Sequence, residues 1–242
     1  MRLASHRHAD CPLVGQQAKR RGHVTSPQPD RQAARKRLWP APVVLTLVIL
    51  MCLIEAVLQL ADLGLVGSAR WRQLAYQYGA FWAGLLHGWQ PNFRLQPASM
   101  FLTYSMLHGG LGHLLGNMAA LLALAPRITD RVSQRGFLML WAISALGGAA
   151  VFGLLTSSPQ PMVGASGALF GLAGAWKAWD WREARKSGTA LWPILLWLAG
   201  LAVLNLVLWV LQGGLLAWET HLGGFMAGWI WVMVQSDRAD SR

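Results

Sequence analysis

Apolar residues run almost unbroken through 42–61, 107–125, 136–155, 162–179, 190–211 and 214–234. Each run approaches the roughly 20 residues that a helix needs to cross a hydrocarbon core, the fourth being the shortest. Backbone facing lipid must satisfy its own hydrogen bonds, so the pattern predicts helices and not open strands. Pro193 falls near the start of the fifth run, where its missing N–H costs little. The expected fold is all-α: a polytopic bundle of six transmembrane helices within residues 39–242.

The connections differ in character. Residues 62–106 are too many for a simple turn and hold all three tyrosines, Tyr76, Tyr78 and Tyr104, with Trp71, Trp82 and Trp89. Such aromatics favour the membrane–water interface, so Ala69–Leu86 is expected to lie along the surface as an interfacial helix. Residues 1–38 are polar, basic and Pro-containing, with no apolar core directly behind them; they read as a disordered tail and not as a cleaved signal peptide. His6, His8, Cys11 and His23 lie there, at spacings that fit no compact metal site. Cys11 and Cys52, one in the tail and one in an apolar run, argue against a disulfide framework.

Composition agrees with the pattern. The chain is 54% apolar and only 13% charged, where a soluble domain carries about a quarter charged residues. Mean hydropathy is +0.35. The net charge of +11 would suit a nucleic-acid binder, but its distribution says otherwise. The tail, the connections after the second and fourth runs and the C-terminus hold 18 Lys and Arg. The 62–106 loop holds three, and the segments 156–161 and 212–213 hold none. The positive-inside rule then places both termini in the cytoplasm, which an even number of spans requires. The basic balance is topology, and no nucleic-acid partner is needed.

Three polar clusters interrupt the apolar runs. His108, His113 and Asn117 open the second, Gly164, Ser166 and Gly167 the fourth, and His221, Gly224 and Gly228 the sixth. All three runs travel from outside to inside in the charge-derived topology, so the clusters share one depth in the outer half of the membrane. His113 and Asn117, four residues apart, face one way. Gly167, Gly171 and Gly174 form a flat strip on the fourth helix, opposite Gly224 and Gly228 on the sixth; small residues let helices approach closely in lipid. That approach would bring a serine hydroxyl to an imidazole. Serine needs an adjacent base to become a nucleophile, and histidine is suited to the task near neutral pH. His113, Asn117 and the Ser166 backbone N–H would supply donors to an oxyanion. Intramembrane ionisable groups are costly, and three histidines at one depth point to function more than to packing.

A carboxylate third member is not evident. Asp10, Asp30, Asp130, Asp180, Glu183, Asp237 and Asp240 belong to the cytoplasmic side, Asp62 to the outer loop, and Glu219 faces away from His221 on its own helix. Glu55, the one intramembrane carboxylate, reads as a packing or water-facing group. A Ser166–His221 dyad is the expected arrangement.

These clusters resemble the signature of the rhomboid intramembrane serine proteases: H-x4-H-x3-N on the second helix, G-x-S-G at the start of the fourth, H-x2-G-x3-G on the sixth. The resemblance covers roughly 42–234. It implies that Ser166 attacks the scissile carbonyl, that His221 is the base, that His113 and Asn117 help form the oxyanion hole, and that His108 braces the outer loop. It also implies that Phe170 stacks on His221 where relatives often carry Tyr. Substrates would be single-span transmembrane proteins, met within membrane lipid and cut at small residues, with no cofactor or metal. The absence of a seventh span suggests a bacterial inner membrane. The sequence departs from the family at Ser99-Met100, where relatives often carry Trp-Arg, at Thr220, commonly Ala, and at Thr129, commonly acidic. The alternatives are a catalytically inactive rhomboid-like scaffold that binds client transmembrane helices, and a small transporter. Such scaffolds usually lack the serine or the histidine, and a transporter would carry polar residues through the full membrane depth.

Overall fold

The computed structural model describes residues 40–156 and 158–235. The expected tail, 1–38, lies outside them. Eight α-helices are present among the described residues: α1 (Pro42–Asp62), α2 (Trp71–Gly79), α3 (Gln96–Thr103), α4 (Leu111–Thr129), α5 (Gln134–Leu155), α6 (Ser166–Ser187), α7 (Trp192–Leu211) and α8 (Trp218–Val234). Each of the six apolar runs contains one long helix. The only strand-like pairing among the described residues is an isolated bridge between Phe81 and Met162.

By length and composition α1, α4, α5 and α7 are able to cross a membrane. Helix α6 continues past its apolar part through Asp180, Arg182, Glu183, Arg185 and Lys186, and α8 has 17 residues. Hydropathy ends at the first charges of α6, but the helix does not. Lys177 pairs with Asp180 at 2.8 Å, and Gly188 closes the last turn at φ 67°.

Helices α5, α6 and α8 form the centre, with α6 and α8 the most extensive pair. Glycine makes this possible. A Cβ on Gly224 would overlap the Gly167 carbonyl oxygen, one on Gly228 the Gly171 carbonyl, and one on Gly174 the Phe225 carbonyl. Backbone therefore packs on backbone. The glycines of α5 extend the same device: a Cβ on Gly147 would overlap Ala227, and one on Gly148 would press on the Thr220 carbonyl. Helix α7 differs from the other long helices, for Ile194 is its only buried residue. Apolar on all sides, it is built for lipid and not for a protein core.

The outer loop departs from the expected single helix at 69–86. Helix α2 stops at Gly79 because Ala80 is extended at ψ 161° and Phe81 leaves to pair with Met162. A short 3-10 turn, Ala83–Leu86, follows. The fully buried Phe81 packs edge-on against Phe101 and Phe152, which holds the loop to α3 and α5.

Glu55 is neither water-facing nor a plain packing residue. It is fully buried on α1, and its carboxylate accepts two hydrogen bonds from Arg72 of α2, at 2.8 and 3.1 Å. These bonds, chiefly, hold the Arg72 guanidinium above the ordinary arginine pKa, so it keeps its charge at any working pH. Arg72 also pairs with Asp62. Removing one partner of a buried ion pair leaves the other uncompensated. Arg72→Ala, which leaves the fully buried Glu55 carboxylate without its partner, is expected to cost about 3 kcal/mol of stability. Thermal unfolding in detergent measures it, and an unchanged midpoint would mean the pair is energetically idle.

Candidate active site

Ser166 is the first residue of α6. The chain reaches it through an anchored segment. Met162 exchanges backbone hydrogen bonds with Phe81 at 2.9 and 3.0 Å, and the Gly164 N–H donates to the Tyr104 carbonyl at 3.0 Å. Gly164 then turns at φ 128°, a conformation L side chains rarely adopt. Any side chain there would also press on the His113 ring. The first N–H groups of α6, that of Ser166 included, have no partner within the helix and carry the positive end of its dipole.

His221 is the fourth residue of α8, one turn in. Its Nε2 lies 2.9 Å from Ser166 Oγ. The close α6–α8 packing through glycine is what brings together two side chains 55 residues apart. Phe170, one turn after Ser166, stacks flat on the imidazole with centroids 4.1 Å apart and planes 1° from parallel. The ring is buried.

His113 and Asn117 of α4 both approach Gly164, beside Ser166. The Gly109 N–H donates to His113 Nδ1 at 3.2 Å, which leaves the ring proton on Nε2, the nitrogen next to Gly164. Asn117 Nδ2 is buried with no partner. Two donors aimed at one point, one of them unsatisfied, form a place for a developing negative oxygen. His108 is fully buried, its ring edge-on to His113 at 5.4 Å. Its backbone carbonyl accepts from Tyr76 at 2.6 Å and from Arg72 at 3.2 Å. The outer loop is thus tied to the chain just before α4 by Arg72 and Tyr76 of α2, well upstream of Ser99-Met100, where relatives often carry Trp-Arg.

One contact was not anticipated. Asn205 of α7 places Oδ1 2.6 Å from His221 Nδ1. The partner is an amide and not one of the chain's carboxylates. The signal was present, however: Asn205 is the one amide in an otherwise apolar span, and such polar groups are seldom idle. A groove of about 320 Å³ opens there, lined by Ala202, Asn205, Leu206, Trp209 and Trp218. Its lining is otherwise apolar and does not include Ser166 or His221.

Fold and site together define a multi-pass integral membrane protein with a serine–histidine pair at facing helix starts. Its sequence matches the model of the Rhomboid domain over residues 96–238. The chain belongs to the rhomboid family. It is 37% identical over 126 residues to RHOMBOID-like protein 5 of Arabidopsis thaliana, a match covering 50% of this chain and 39% of that protein. It is 30% identical over 169 residues to RHOMBOID-like protein 2 of the same plant, covering 67% and 44%. The matches therefore span less than half the length of these relatives. Both are plant proteins, and they lend no support to a bacterial inner membrane.

Proposed function

We propose that this protein is an intramembrane serine endopeptidase, hydrolysing peptide bonds in or near the transmembrane segments of single-span membrane proteins. In this reading six helices span the membrane with both termini in the cytoplasm, and lipid surrounds the bundle. Ser166 is the nucleophile and His221 the general base. The observation that supports it best is the 2.9 Å hydrogen bond between Ser166 Oγ and His221 Nε2, beside the buried donors of α4.

The chemistry follows from that bond. His221 Nε2 takes the hydroxyl proton as Oγ adds to the scissile carbonyl carbon. The carbonyl oxygen becomes an oxyanion, met by His113 Nε2–H, Asn117 Nδ2–H and the Ser166 backbone N–H. Collapse breaks the C–N bond, and His221 returns the proton to the departing amine nitrogen. Water then hydrolyses the acyl-enzyme by the same route. His108 and Phe170 hold their neighbours in place, while Gly164 and Gly167 leave room for the approach of α4 and α8.

Purified protein in lipid vesicles should cleave a single-span model substrate. His113→Ala and Asn117→Ala should each lower turnover by roughly 10–1000-fold, the range for losing one oxyanion donor, with smaller changes in KM. Full turnover in both variants would leave the hole to backbone alone. A reconstituted protein that leaves such substrates intact would favour the scaffold reading.

A further inference from the structure

We propose that Asn205 is a positioning residue for the base: its Oδ1 holds the Nδ1 proton of His221, so that Nε2 keeps its lone pair for the Ser166 hydroxyl. This rests on the proteolytic reading above.

A neutral imidazole carries one N–H and one lone pair, and the hydrogen bond at one nitrogen decides the state of the other. For Ser166 to lose its proton to His221, Oγ–H must point into the Nε2 lone pair. Nδ1 then carries the proton and requires an acceptor. Asn205 Oδ1 is there at 2.6 Å. The buried carboxylate that might have served, Glu55, is occupied by Arg72. Phe170 fixes the plane of the imidazole and nothing more. A ring that turns over within that plane keeps its stacking but presents the wrong edge to Ser166. Besides the bond to Ser166 itself, the Nδ1 contact is what distinguishes the two orientations.

The contact persists through the reaction. When Oγ bonds to the carbonyl carbon, its proton moves to Nε2, and the imidazolium then carries both N–H groups. Nδ1–H stays on Asn205 Oδ1 while Nε2–H passes to the amine nitrogen as the C–N bond breaks. In deacylation water gives a proton to Nε2 and its oxygen to the acyl carbon, and Ser166 Oγ recovers the proton on leaving. An amide suits this position in lipid, because a carboxylate would carry a full charge on a helix that the bundle barely covers.

Two variants of the full-length protein in lipid or detergent test this. Asn205→Leu removes the acceptor while keeping the same branching at Cγ. Because α7 buries only Ile194, the fold is expected to survive the change. Its kcat should fall by about 10–100-fold with KM within about threefold. Asn205→Asp keeps an acceptor and should recover kcat to within about tenfold of wild type. Long-range 1H–15N spectra of 15N-histidine protein should show His221 protonated on Nδ1 in wild type and losing that state in Asn205→Leu. Wild-type kcat in Asn205→Leu, an Asn205→Asp as slow as Asn205→Leu, or a wild-type ring protonated on Nε2 would each overturn the proposal. The spectra need no substrate. Absence of cleavage by wild type would therefore fell the proteolytic reading, while the tautomer still decides whether Asn205 orients the ring.

Discussion

Ser166→Ala should reduce cleavage of a single-span substrate by more than about a thousandfold while leaving the protein folded. The variant removes one hydroxyl and with it the only atom able to form the acyl bond; catalysis left over would come from the oxyanion donors and binding alone. The stability cost is small. Net loss of one hydrogen bond is about 1 kcal/mol, and His221 keeps both Asn205 and Phe170. A serine-reactive phosphonate should label wild type at Ser166 and fail to label the variant. Undiminished cleavage by Ser166→Ala would eliminate the serine mechanism, however good the geometry.

Gly224→Val should be nearly as damaging without touching a reacting group. A Cβ at this position meets the Gly167 carbonyl oxygen, which is backbone and cannot rotate away. The helices must separate, and overpacking of this kind costs about 1–3 kcal/mol. Activity is more sensitive than stability. A displacement of about 1 Å in the reacting geometry is enough to lose about 100-fold, and Ser166 and His221 ride on the two helices being parted. Turnover should therefore fall at least about 100-fold, with a lowered thermal midpoint. Gly200→Val on α7 is the control, since a Cβ there meets open space; it should change neither quantity. Equal effects at the two positions would show that α6–α8 contact does not set the site.

The periodic and apolar features of the chain were legible directly. Runs of about 20 apolar residues have few options in lipid, so the six helical segments follow from solvation and backbone hydrogen bonding alone. The glycine strips on α6 and α8 were equally readable, because a missing side chain at helical spacing has one obvious use there. Where each helix begins was not. Helices α4, α6 and α8 start at Leu111, Ser166 and Trp218, each four residues inside its apolar run. Hydropathy cannot see why. Gly110 at φ 111°, Gly164 at φ 128° and the Gly213-Gly214 pair turn the backbone before the helices start, and Met162 is drawn off to pair with Phe81.

The polar partnerships divide the same way. That His108, His113, Asn117, Ser166 and His221 share a depth could be argued from charge asymmetry and spacing. The partner of each polar group could not, because a hydrogen bond joins atoms whose residues lie far apart in the chain. Glu55 finds Arg72 17 residues on, the His108 carbonyl finds Tyr76 32 residues back, and His221 finds Asn205 16 residues earlier on a helix that contributes little else. Composition and period determine which segments leave water and which faces are small enough to meet. Only the folded bundle, by bringing particular polar groups within 3 Å of one another where no water competes, decides which of them pair.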